Sequence, residues 1–185
     1  AANTWVCIPF SSGSAAPTVS GTTGSPTTSS ITLDGVSGTL YEWSANGSIT
    51  CSTAGRARVC IIGGGSDDSG PNYGNAAAIA QGWVDFTVAT HTVTVGARGT
   101  GGSAGGISSI GSLAGANGGP RPTYSVGGIG SGRWLGVADY AGTPDNITGS
   151  TVTYAGAAGS SLTTYGSSYA GPASVAGRVF IFIPS

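Results

Sequence analysis

The chain has 185 residues, and only 7% of them are charged, against about 25% in an ordinary soluble protein. The six basic residues are all arginines, and the formal net charge is -1, so composition offers no footprint for nucleic acid or an anionic membrane. With 39% hydrophobic residues and almost no net charge, this is the composition of a folded domain rather than a disordered chain, and no apolar run approaches the ~18 residues of a membrane span.

In chain order, AANTWVCIPF lacks the basic and apolar regions of a signal peptide, and its small first residue fits removal of an initiator methionine. Trp5, Val6, Ile8 and Phe10 form an apolar plug, followed by SSGSAAPTVSGTTGSPTTSS, which has almost nothing to bury. Residues 1–30 are therefore expected to be an extended arm, with residues 31–185 as the folded domain. The plug either anchors the chain in a partner or folds back over an edge of its own domain.

Strand signals begin at Ile31. TLYEWSANGSITCS puts Tyr41 and Trp43 on one face and follows them with Asn46-Gly47, a strong hairpin cue. RARVCIIGGG contains a continuous apolar run, as in a strand covered on both faces. WVDFTV and THTVTVG alternate, STVTYAG (150–156) is a further candidate, and Val179 to Ile183 of the terminal GRVFIFIPS are all apolar. The only helical hint is the short NAAAIAQGW (75–83). The expected fold class is all-β: a compact, β-sandwich-like domain.

The stretch 96–119, GARGTGGSAGGISSIGSLAGANGG, repeats in threes. One column runs Gly96, Gly99, Gly102, Gly105, Ser108, Gly111, Ala114, and another ends in Ile107, Ile110 and Leu113. A period of three belongs to neither strand nor α-helix but to a left-handed polyproline-II-type helix, whose free N–H and C=O groups can pair with neighbouring segments. Either this stretch packs backbone to backbone in polyglycine-II fashion, or it is a flexible loop to residue 105 followed by a short strand at SSIGSL.

Chemistry-bearing residues are few. Cys7, Cys51 and Cys60 lack metal-ligand spacing; Cys60 reads as a buried hydrophobe, with a Cys51–Cys60 bridge as the alternative, and a reducing compartment is expected. His91 shares parity with Val93 and Val95 and reads as a half-buried strand histidine. Asp67-Asp68 reads as solvated loop carboxylates, with Ca²⁺ binding as the alternative, and nothing fixes the geometry of Asp139 and Asp145. Asn46 and Asn146 stand in N-x-S/T sequons, although Asn46 is better explained by its turn. Without lysine there is no phosphate-binding P-loop, and no catalytic constellation, cofactor or metal site is expected. Tyr124, Arg133, Trp134 and Tyr140 cluster in a turn-rich segment that Tyr165 and Tyr169 could extend. Such side chains anchor interfaces and stack on sugars, or in the plainer reading Trp134 plugs the core.

The order TLYEWSANGSITCSTAGRARVCIIGGG, WVDFTVATHTVTVGARGTGGSAGGISSIGSL, GSTVTYAGAAGS and AGRVFIFIPS resembles the glycine-rich domain of bacteriophage virion proteins over roughly residues 39–185. The resemblance implies a non-enzymatic structural protein on the virion surface, made in the host cytoplasm. Its expected role is a tail-fibre or tip adhesin, contacting a host-surface glycan or protein. It also implies other virion proteins as partners and self-association as a homotrimer. Within the same class stands a capsid decoration or head-fibre protein docked through its N-terminal arm; in another class stands a small cell-envelope polysaccharide hydrolase. The first glycine run is diluted here (GGGSDDSGPNYGNAA), and residues 120–148 carry a richer insert, so a literal polyglycine sandwich is not carried over.

Overall fold

A computed structural model describes residues 15–66, 77–119, 138–140 and 176–185, with residues 138–140 described for the backbone alone. Eleven strands are found there: β1 (Val19–Thr23), β2 (Thr27–Leu33), β3 (Val36–Trp43), β4 (Gly47–Cys51), β5 (Gly55–Ile62), β6 (Ile79–Phe86), β7 (Thr90–Thr94), β8 (Ser108–Ile110), β9 (Ala114–Ala116), β10 (Ala138–Tyr140) and β11 (Arg178–Pro184). They form two antiparallel sheets, β1-β4-β7-β8-β9 and β10-β6-β5-β11-β3-β2. No described residue is helical, and the all-β, sandwich-like expectation holds.

The main core lies between the sheets. Ile49, Val93 and Ile110 from the five-stranded sheet meet Trp43, Val59, Ile61, Phe86, Val179 and Ile181 from the six-stranded one. Alternation dictates this, because successive strand side chains point to opposite faces. The runs VCII and VFIFI do not alternate, because the six-stranded sheet is buried on its second face as well. There Leu33, Leu40, Cys60, Ile62, Ile79, Phe180 and Phe182 form a separate cluster.

Three expectations need correction. The expected arm boundary at residue 30 does not hold for residues 19–30, because β1 pairs with β4 and β2 pairs with β3. Serine and threonine supply little to bury, but threonine's β-branched side chain suits a strand, and the hydroxyls of both can face water on an exposed edge. Residues 1–14, including Trp5, Val6, Ile8 and Phe10, lie outside the described residues. Asn46-Gly47 is not a hairpin: β3 and β4 belong to different sheets, and this bend carries the chain across the sandwich. The hairpin sits instead at Asp34-Gly35, whose φ values of 50° and 81° close β2 onto β3 in a two-residue turn. Finally, Ile79 onward from the helix-like NAAAIAQGW is strand β6. Its register with β5, from Gly55↔Phe86 to Ile62↔Ile79, overrides the weak local preference of an alanine run.

The glycine-rich stretch is built as short pieces, not one threefold helix. Gly101, Gly102 and Gly111 have φ of 57°, 77° and 48°, so turns interrupt the column, and Ser108–Ile110 between them is a strand. The backbone-to-backbone packing is nevertheless present. Gly64 N–H donates to the Gly106 carbonyl (2.9 Å), Gly119 N–H to Gly64 (2.9 Å), Gly105 N–H to Gly119 (2.9 Å), and Gly106 N–H to Ala97 (2.8 Å). Gly99 N–H bonds Gly65 and Gly177 N–H bonds Gly96, each at 2.8 Å. Segments 63–65, 96–99, 105–106 and 117–119 thus form one bundle, with Gly177 joined to it. A Cβ on Gly64 or Gly105 would fall on a neighbouring carbonyl, which is why glycine stands there.

Candidate functional surface

Ionisable groups in the described residues are arranged for structure. His91 on β7 is 9% exposed and faces the interior, as its parity with Val93 requires. Its Nε2–H donates to the Thr87 carbonyl at 3.1 Å, and its ring stands edge-on to Phe86 with centroids 5.2 Å apart. Among the described residues no carboxylate pairs with it, and no group of three or more His, Cys, Asp or Glu residues is placed to hold a metal ion.

Cys51 and Cys60 are both buried and are not bonded to each other, so the alternative of a bridge is not realised. Cys51 packs in the core between the sheets and Cys60 in the cluster on the far face of the six-stranded sheet. Burial pushes the Cys51 pKa up from its ordinary value, because desolvation disfavours the thiolate, and this favours the protonated, less reactive thiol.

Arg56–Asp85 (3.4 Å), Arg58–Asp34 (2.7 Å) and Arg178–Glu42 (3.4 Å) are pairs at the surface, each worth less than about 1 kcal/mol.

The outward face of the five-stranded sheet is a lattice of hydroxyls. Thr23 Oγ1 and Ser48 Oγ lie 2.9 Å apart, with Thr92 next along that row, and Thr50 Oγ1 and Thr90 Oγ1 lie 2.9 Å apart in the row beside it. These side chains are exposed or half-buried and carry neither charge nor aromatic ring. Such a face offers contact but neither a nucleophile with its base nor a titrating group. Sequence reasoning passed over it, although the alternating Ser48/Thr50 and Thr90/Thr92/Thr94 signal it.

The ends of the described segments separate into two poles. At one end of β5, Arg56 N–H bonds the Ala15 carbonyl (2.9 Å), so the N-terminal segment enters there. The C-terminal Ser185 lies at the same end, its N–H bonded to Ser37, because β11 runs antiparallel to β5. At the other end Ile62 leads into Gly63–Gly65 of the glycine bundle, roughly 25 Å away for eight strand residues. Residues 66, 77, 119 and 176, where the described chain breaks off and resumes, are in or beside this bundle, and β10 pairs with Ile79–Gln81, which lie opposite Cys60–Ile62 in the same half of β5.

Of the candidate binding residues, Tyr124, Arg133, Trp134, Tyr165 and Tyr169 lie outside the described residues. Tyr140 is placed by backbone register opposite Ile79. Also outside are Cys7, Asp67, Asp68, Asp145, Asn146 and the candidate strand 150–156; Asp139 is placed only by its register opposite Ala80. No family model, no curated protein and no solved structure matches the chain.

Proposed function

We propose that this chain is a non-enzymatic structural protein of a bacteriophage particle, displayed on the virion surface as a tail-fibre or tip adhesin. The observation that carries this reading is the two-pole layout. Ala15, which follows Trp5, Val6, Ile8 and Phe10 in the chain, lies at one end of β5, and Gly119, β10 and Gly177, which flank the stretches bearing Tyr124, Arg133, Trp134, Tyr165 and Tyr169 in the chain, lie toward the other. An adhesin needs that division, with attachment at one end and recognition away from the particle at the other. The glycine bundle supplies a rigid root for recognition segments, since its amides bond across segments instead of to water. Tyr, Trp and Arg are the side chains that concentrate binding energy in interfaces, and a host-surface glycan or protein is the partner they suit. The neutral hydroxyl face supports contact over catalysis.

Two variants in particles test the reading. Deleting residues 1–14 should abolish incorporation, while Trp134→Ala should preserve incorporation and melting temperature but slow host adsorption at least about tenfold. Normal adsorption with Trp134→Ala would point to a capsid decoration role. Failure of the intact chain to enter particles, or turnover of envelope polysaccharide lost on His91→Ala, would overturn the proposal.

A further inference from the structure

We propose that the outer edge of β2 is a strand-addition site whose occupant is the same edge of a second copy of this chain. The two-residue turn at Asp34-Gly35 sets Leu33 opposite Val36. In such a hairpin the pair flanking the turn exchanges both backbone hydrogen bonds, and bonded pairs recur at every second residue. Thr27, Ser29, Ile31 and Leu33 therefore spend their backbone groups on β3. Thr28, Ser30 and Thr32 aim their N–H and C=O groups away from the sheet, at the last strand in the sheet order. Residues 27–30 and Thr32 are exposed.

Natural edges are usually blunted by lysine, charge, proline or a bulge. The chain has no lysine, TTSSITL has no charge or proline, and its register with β3 runs without a shift. The edge of β1, by contrast, shifts register between Val19 and Gly21. A neutral edge meets its own copy without repulsion. Antiparallel pairing about a two-fold axis at Ser30 sets Thr28 opposite Thr32 of the second copy and forms about six backbone hydrogen bonds. A shallow groove of about 350 Å³, lined by Ser30, Ile31, Thr32, Ser37, Thr39 and Ser185, lies over the β2–β3 ladder and the end of β11, on the side of β2 away from this edge.

This inference rests on the edge geometry alone and stands apart from the virion reading. Sedimentation equilibrium of the full chain should give a reversible dimer. Ser30→Pro should weaken that dimer at least about tenfold, because it removes an outward N–H. Its melting temperature should stay near that of the parent, whereas Ser29→Pro, which removes a bond to β3, should lower it. Ser30→Lys sets two like charges opposite each other across the axis and provides the same test should the proline variant fail to fold. A monomeric parent chain overturns the proposal. So does any oligomer, including a trimer, that both Ser30 variants leave unchanged.

Discussion

At Gly105 one added methyl group would coincide with the Gly64 carbonyl, and neither backbone can retreat without breaking the hydrogen bonds that fix the bundle. Gly105→Ala is expected to cost about 3 kcal/mol, the upper part of the range for overpacking, and to lower Tm by roughly 6–12 °C. Gly21→Ala serves as the control. No atom lies within 4 Å of the added carbon and φ is not positive, so the loss of unfolded-state freedom should leave stability unchanged or raise it by up to about 1 kcal/mol. Equal losses from both substitutions, measured by thermal unfolding, would refute the close-packed reading. The thiols give a second check at this scale. Cys51 and Cys60 should resist alkylation in the folded protein and react once denaturant is added. Burial raises the folded-state pKa of Cys51, so the folded chain holds that proton more tightly than the unfolded one. The resulting stabilisation is fully present below about pH 9 and is lost as pH climbs through the raised pKa. Residue-level periodicity made His91 and Cys60 readable in advance as interior positions, since parity with Val93 and membership of VCII require nothing beyond the strand itself. Why Gly64 must be glycine was not readable, because the carbonyl it would strike belongs to Ala97, far along the chain.

Between elements, the crossover at Asn46 shows where local cues stop. Asn-Gly signals a change of chain direction in any context, and a bend over residues 44–46 is present. Whether it closes a hairpin depends on where the next strand finds its partner, and β4 pairs with β1 and β7 instead of β3. The side chain was recruited accordingly: Asn46 Oδ1 accepts the Val95 N–H at 2.8 Å and ties the end of β7 to the crossover. Asn46→Ala should cost about 1 kcal/mol, with Asn46→Asp, which keeps the acceptor, costing less in chemical denaturation. Equal costs would show that the bond to Val95 contributes nothing. The same limit explains the misplaced arm boundary. The segment from Val19 to Leu33 carries little to bury, and only the partner strands β4 and β3 make it part of the domain. Strands rich in apolar residues announce themselves, whereas edge strands of serine and threonine resemble linkers until their pairing is known.

For the molecule as a whole, the two sheets supply a conventional apolar core, while the end where Gly119 and Gly177 lie is held by hydrogen bonds between glycine backbones. These two modes of cohesion respond differently to local opening. A loop bonded to water exchanges its amide protons almost freely, whereas amides bonded across packed segments exchange only when those segments separate. Gly64 bonds Gly106 and Gly119, Gly119 bonds Gly105, and Gly106 bonds Ala97, so releasing one segment means breaking bonds to at least two others. The bundle should therefore open as a unit. In hydrogen exchange, the amides of Gly64, Gly99, Gly105, Gly106 and Gly119 are expected to show protection close to that of the β5 and β11 core amides, although none of them lies in a strand. Thr100 and Ser103 at the exposed turn, bonded only to each other, should exchange orders of magnitude faster. Gly105→Ala should bring the other bundle amides down together while leaving those of β5 in place. Exchange of the bundle amides at the rate of the 100–103 turn would mean that the glycine segments are a loose cap, and the rigid root required for the proposed recognition pole would be lost with it.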